Sequence, residues 1–217
     1  GYWKLDDNNA LTSVIDYSGK GNTGTAYSST ATSTSVLSTS TAMIGRAMSF
    51  DGVNDYVSVN NPSAGLTKMT ICAWVKKTSY IQYQSFMSDW REATNQRNFI
   101  FGYENPENTI SFFIGDGVNT DIKGISGFTA NSWHFVCGVF NGETDYLGIY
   151  LDNVVASKTT AINNIGSTQS IYGRIGSYWL LSKYFNGLID EVRLYNRALS
   201  ATEIEQSYQR GLMGKIQ

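Results

Sequence analysis

Residues 185–206 read FNGLIDEVRLYNRALSATEIEQ, and their reading decides the fold. The first half, 185–195, is a strand by its run of aliphatic and β-branched residues. The second half starts a helix: Ser200 followed three residues later by Glu203 is a capping box, and Ile204 and Tyr208 share one face of that helix. Strand alternation puts Leu188, Asp190, Val192 and Leu194 on one face and Ile189, Glu191, Arg193 and Tyr195 on the other. Asp190 therefore falls on the apolar face. A buried carboxylate is costly unless it is paired, hydrogen-bonded or metal-bound, so the strand predicts a partner for Asp190 elsewhere in the chain.

Outward from this stretch, turn signals recur at short intervals. Asp51-Gly52, Gly115-Asp116-Gly117, Asn141-Gly142, Asp152-Asn153 and Asn186-Gly187 separate short runs rich in Val, Ile, Tyr, Phe and Thr. The expected strands are 47–50, 56–59, 70–76, 84–88, 98–103, 109–114, 133–140, 147–151, 171–175 and 185–195. That rhythm is all-β: a two-sheet antiparallel sandwich with one short C-terminal helix. The 217 residues suit one domain spanning 1–217. Residues 28–42 hold 11 Ser or Thr in 15 positions; without proline they read as an edge strand within the same domain rather than as a linker.

Composition excludes several functions. Net charge is −2, charged residues are 16% of the chain, and no Lys/Arg stripe occurs, so nucleic acid is set aside as a partner. No apolar run of about 18 residues exists, which argues against membrane insertion, and no signal segment opens the chain. A start at Gly1-Tyr2-Trp3 without Met fits a piece of a larger, processed or multidomain protein. Cys72 and Cys137 each sit mid-strand in apolar company. Buried thiols and a disulfide across the sandwich are equally open there.

Seven segments in order carry a resemblance: W-x-L-D at 3–6, D-x-S-G-x-G-N-x-G at 16–24, SFDGVNDYV at 49–57, TICAWVK at 70–76, NSWHFVCGVFNG at 131–142, IYLDN at 149–153 and FNGLIDEVRLYNRALSATEI at 185–204. Together they resemble a laminin-G-like jelly-roll domain of the concanavalin A-like lectin/glucanase superfamily. The resemblance covers nearly the whole chain, although 78–130 and 157–184 match only in strand rhythm. It implies a jelly roll with a curved concave face, a secreted or surface location, sugar binding and a structural calcium. Trp74 and Trp133 then read as core, and Asp51-Gly52 as a hairpin turn.

Gly19-Lys20-Gly21-Asn22-Thr23-Gly24 spells a dinucleotide fingerprint, but no helix follows to receive a pyrophosphate. What remains is a glycine-rich loop offering oxygens from Asp16 and Asn22, the ligand chemistry of hard cations. Because the first and last segments of jelly rolls meet, Asp190 is expected to complete a calcium site with Asp16 and Asn22. The alternative is a hydrogen bond from loop N–H groups, or from a Lys or Arg, to Asp190.

Glu143-Thr144-Asp145-Tyr146-Leu147-Gly148 approaches the E-x-D-x-x-E of glucanases, but Gly148 replaces the last acid and Asn141-Gly142 makes the segment a turn tip. No glycosidase activity is expected. His134 is the only histidine, which excludes multi-histidine zinc sites and favours a structural role. Trp90 and the Tyr178-Trp179 pair fall between expected strands, where a ring is harder to explain as core. They are the expected sugar platforms, with Asp89, Arg91 and Asn95 as polar complement; for Trp179, a place tucked under its own loop is an equal alternative. The expected function is a non-catalytic carbohydrate-binding module engaging a glycan or surface glycoconjugate. An adhesion or assembly domain that binds protein or acts as a spacer is the alternative, and a glycoside hydrolase trails both.

Overall fold

The computed structural model describes residues 1–7, 12–28, 37–39, 42–60, 63–80, 83–91, 96–166, 173–178 and 183–214. In chain order its elements are β1 (Tyr2–Trp3), β2 (Ser13–Val14), β3 (Gly24–Tyr27), β4 (Leu37–Thr39), β5 (Ala47–Asp51), β6 (Tyr56–Val59), β7 (Lys68–Lys77), β8 (Met87–Arg91), β9 (Gln96–Glu104), β10 (Thr109–Gly115), β11 (Thr120–Ser126), β12 (His134–Asn141), β13 (Tyr146–Leu151), β14 (Val154–Thr159), β15 (Gly173–Ile175), β16 (Asn186–Tyr195) and α1 (Ala201–Gly214).

The first sheet runs β14-β13-β12-β7-β16-β5-β4, with β1 also on β16, and the second runs β11-β10-β9-β8-β15-β6-β3-β2. The two sheets bury one core between them. Trp3, Val75, Phe86, Phe99, Phe101, Phe112, Phe140 and Ile189 contribute to it, each at most 1% exposed. This is the antiparallel sandwich that the turn rhythm predicts and the jelly roll that the resemblance implies. The helix packs on the outer face of the first sheet, where Ile204 and Leu199 join Trp74, Phe135 and Met43 in a second apolar layer. Its N-terminus is the expected capping box: Glu203 N–H donates to Ser200 Oγ (3.3 Å) and Ser200 N–H to Glu203 Oε2 (2.9 Å).

Three local expectations are revised, and a fourth is met over part of its length. Asp51-Gly52 is a turn, with Val53 N–H bonded to Asp51 Oδ1 (2.7 Å), but it joins β5 of one sheet to β6 of the other and is no hairpin. Asn186-Gly187 is not a turn; it lies inside β16, and Gly187 is needed because a Cβ would stand 2.2 Å from the Lys76 carbonyl oxygen. Cys72 and Cys137 form a disulfide, and they do so side by side on neighbouring strands β7 and β12 rather than across the sandwich. Within the Ser/Thr-rich segment, β4 pairs with β5 at the end of the first sheet, so an edge strand is present there over Leu37–Thr39.

Candidate functional site

The Asp16 loop is closed by its own N–H groups. Asp16 Oδ1 accepts from the backbone of Tyr2 and Ser18 (2.9 Å each), and Oδ2 accepts from Asn22 N–H (2.9 Å) and Asn22 Nδ2 (3.0 Å). Burial alone would raise this carboxyl. The Ser18 hydroxyl and the three backbone donors overcome it and hold Asp16 well below the usual carboxylate range. Asp16 and Asn22 are thus brought together, as a hydrogen-bonded turn.

Asp190 stands apart from them. Strand β16 pairs with β5 through Ile189 and with β1 from Val192, and the change of partner takes one extra residue. Glu191 absorbs it with φ 55°, so the register on β7 jumps between Asp190 and Arg193. Ile189, Val192 and Leu194 all reach the sandwich core, while Asp190 pairs with Trp74 and faces the outer layer beneath residues 42–46. The alternation expected across the whole strand is therefore broken at Asp190, which shares no face with Val192 and Leu194. Its Oδ2 accepts from the N–H groups of Met43 (3.1 Å) and Ile44 (3.0 Å), whereas Oδ1, fully buried, has no hydrogen-bond partner among the described residues. Burial pushes the carboxyl up to about 8; the Ile44 N–H opposes this, and the charges of Glu191 and Asp6 add to it. Loop N–H groups are thus half the answer for this residue.

Glu191, buried on the other side of the kink, is locked by Tyr2 OH (2.7 Å to Oε2) and by the Arg193 guanidinium, which also lies over the Tyr2 ring. His134 is held in the same manner. Its Nδ1 meets Asp152 Oδ2 (2.9 Å), its Nε2 meets both the Thr129 hydroxyl (3.0 Å) and the Thr129 N–H (3.3 Å), and Phe135 N–H takes the other Asp152 oxygen (2.9 Å). Because the backbone N–H also points at Nε2, that nitrogen is an acceptor, and Nδ1 donates to Asp152 and clips β12 to the β13–β14 turn. Glu143 is exposed at the β12–β13 turn, paired with Lys68 Nζ (2.6 Å).

Two of the expected sugar platforms, Trp90 and Tyr178, are packed. Trp90 belongs to β8, three residues later than the strand expected at 84–88, and is 4% exposed. Alternation from the core residue Met87 points Trp90 outward, where its indole packs on Ile100, Tyr178 and Phe113, the last edge-on at 6.2 Å between centroids, and the extra residue of the β8–β9 register is Asn98 on β9. Tyr178 is buried in the same cluster. Asp89 is completely buried as well, accepting from Asn98 Nδ2 (2.7 Å) and the Ser63 hydroxyl (3.3 Å). Asn95, Trp179 and the Arg91 side chain lie outside the described residues.

The other end of the same outer face carries an aromatic pair that the sequence reading passed over. Tyr27 and Tyr56 sit in register on β3 and β6, their rings stacked at 4.9 Å and 12°. Ala26, Val57 and Ile175 point into the core, so their neighbours Tyr27, Tyr56 and Arg174 point out. The Arg174 guanidinium lies 4.3 Å from the Tyr56 ring centroid, and Tyr27 is 45% exposed. Period-two alternation at 24–27 and 56–59 places each tyrosine outward, but their pairing joins residues far apart in the chain.

Comparison with known proteins agrees with the architecture. No curated protein sequence matches. Among solved structures, domain 4 of AbnA, a GH43 extracellular arabinanase from Geobacillus stearothermophilus, in complex with arabinotriose, superposes with a TM-score of 0.71 at 16% identity, covering 94% of this chain and 95% of that one. The receptor binding domain of botulinum neurotoxin C/D mosaic serotype gives 0.70 at 13% identity over 96% of this chain and 50% of that one, so the chain spans about half the length of the toxin domain. The Ruminococcus gnavus IT-sialidase CBM40 bound to α2,3-sialyllactose gives 0.57 at 17% identity over 66% and 84%. A family model matches residues 51–205, most of the chain, and with it the chain belongs to the concanavalin A-like lectin/glucanase superfamily.

Proposed function

We propose that the chain is a non-catalytic glycan-binding module of a secreted or surface protein. The observation that carries this reading is the Tyr27–Tyr56 pair, two stacked rings on the outer face of the second sheet with Tyr27 45% exposed. Rings standing outward in this way offer apolar faces and phenol hydroxyls to a sugar, which presents both C–H faces and hydroxyls. Structural neighbours carrying arabinotriose and sialyllactose support a lectin-like role. A disulfide supports an oxidising compartment. Against catalysis stand the exposed Glu143 at a turn and Glu191 locked by Tyr2 and Arg193, neither facing a second acid across a cleft among the described residues. A glycan array followed by calorimetry tests the reading. Tyr27→Ala should weaken the recognised glycan at least tenfold while leaving the fold intact. Wild-type binding by that variant moves the site elsewhere, and an array without any bound glycan favours the adhesion or assembly role.

We also propose that the calcium implied by the family is held at Asp190 rather than by the Asp16–Asn22 loop. Both Asp16 oxygens face N–H donors, a poor setting for a cation. Asp190 keeps a buried carboxylate oxygen without a donor among the described residues, with Asp6 and Glu191 adding negative charge around it. Calcium at about 100 times its Kd should then add about 2.7 kcal/mol to unfolding, a melting shift of several degrees. Asp190→Asn should abolish the shift and Asp16→Asn should not. Equal melting temperatures in calcium and in a chelator would sink this proposal.

A further inference from the structure

We infer that the chain has a second sugar site, on the opposite outer face of the sandwich from Tyr27 and Tyr56, and that it takes a single neutral sugar ring. The site is a cleft of about 370 Å³ between α1, the end of β7 and residues 131–133. Strand register builds it. Trp74 pairs with Phe135 and Val75 with His134, where the β7–β12 ladder ends. Val75 lies in the core and Trp74 in the outer layer, so alternation points Lys76 outward as well, beside the chain arriving at β12. Asn131 N–H donates to the Lys77 carbonyl (2.8 Å) and holds that chain against β7. The helix brings Tyr208 and Leu212, one turn apart, to the other wall.

The lining matches a sugar in kind. Trp74, Phe135 and Tyr208 spend their faces on one another, at 5.2, 5.7 and 6.1 Å between centroids. The half-buried Trp133 packs beside that cluster and is the ring that can meet a C–H face. Lys76 is half-buried, makes no ion pair among the described residues and carries three donors. Asp152 is fixed by His134 Nδ1 and Phe135 N–H (2.9 Å each), which take two of its roughly four acceptor positions and leave the others for hydroxyls. Burial and the Asp152 charge both raise the Tyr208 hydroxyl, so it stays neutral and can donate or accept. Asn131 and Ser132, both exposed at the rim, add an amide and a hydroxyl. One cation and one carboxylate balance the cleft. An anion would meet Asp152 and a cation would meet Lys76, whereas sugar hydroxyls donate to the first and accept from the second.

NMR titration of the whole isotope-labelled chain with methyl β-galactoside, methyl α-glucoside and methyl α-arabinofuranoside tests this, with glucuronate and glycine as charged controls. One glycoside should shift the amides of Asn131, Ser132 and Trp133 saturably, and its affinity should change less than about twofold as salt rises from about 50 to about 500 mM. The Tyr27→Ala chain should give the same shifts and affinity, which separates this site from the Tyr27–Tyr56 pair. Ser132→Arg, at an exposed position that leaves the fold intact, should crowd the cleft and weaken binding at least about tenfold. Lys76→Met should weaken it about tenfold, as the loss of one charged hydrogen bond requires. Unchanged affinity in both variants, or tighter binding of either control, overturns the neutral-sugar site. Shifts confined to the surroundings of Tyr27 and Tyr56 overturn it too, and leave the glycan-binding role standing. No shift with any glycoside also overturns it, and only an empty glycan array then takes the glycan-binding role with it.

Discussion

The two outer faces of the sandwich are built from the same kinds of residue and meet opposite fates. On the first sheet, Trp74, Phe135 and Tyr150 point outward, and the C-terminal helix lies on them, with Tyr208 stacked on Trp74 at 5.7 Å. The helix comes so close that a Cβ on Gly211 would sit 2.3 Å from Trp74 Nε1, which is why a glycine is tolerated mid-helix there. On the second sheet, Trp90, Ile100, Phe113 and Tyr178 cover one end themselves, and Tyr27, Tyr56 and Arg174 stand at the other. An outward aromatic is therefore core or platform according to what lies over it. Strand alternation alone cannot distinguish the two.

The largest effect expected from this contrast is at the helix-covered face. Trp74 is 2% exposed, and its truncation leaves both a cavity and an unsupported helix. Trp74→Ala should cost about 3–5 kcal/mol, lowering the melting temperature by about 6–20 °C. Denaturant titration checks it. A loss below about 1 kcal/mol would mean that the helix is not a structural cover and that the two faces do not differ in this way.

Trp90→Ala comes next and is the sharper test, because the sequence alone points the other way. A loop platform would be removed with melting unchanged and binding lost. At 4% exposure and packed on Ile100, Phe113 and Tyr178, the indole should instead cost about 3 kcal/mol, somewhat less than Trp74 because its cluster is small. Glycan affinity of the folded fraction should be nearly unchanged. Lost affinity with intact stability would return the site to this end of the sheet.

How much of the molecule was legible in its sequence depended on whether a signal was local. The capping box at Ser200 and Glu203 needs only four residues and is present as read. Strand β6 occupies the residues that its alternation marks, Tyr56–Val59. Strands β11 and β14 escaped because they lie at sheet edges with mostly exposed or half-buried side chains, so no apolar periodicity marks them. The bulges at Asn98 and at Glu191 are set by partners: β9 must fit β8, and β16 must pass from β5 to β1. Neither requirement is written in the strand that bends. The same holds for Cys72 and Cys137, 65 residues apart, which only the β7–β12 register sets side by side.

The smallest expected effect is at the Tyr27–Tyr56 end, and it tests whether that end is spared from holding the fold together. Tyr27 and Tyr56 form a cross-strand pair, and such pairs contribute about 0.2–1 kcal/mol. Tyr27, being 45% exposed, loses little packing on truncation, so Tyr27→Ala should cost about 0.5 kcal/mol or less. Tyr56→Ala should cost more, since Tyr56 is half-buried and also meets Arg174 and Tyr184. A double-mutant cycle of the two by urea unfolding isolates the pair, and a coupling of about 0.2–1 kcal/mol is expected. A coupling well above this range would make the pair a structural clasp like Trp74 and Tyr208 across the molecule. A coupling within it, joined to loss of glycan binding in each single variant, leaves recognition as the reason that Tyr27 stands in solvent stacked on Tyr56.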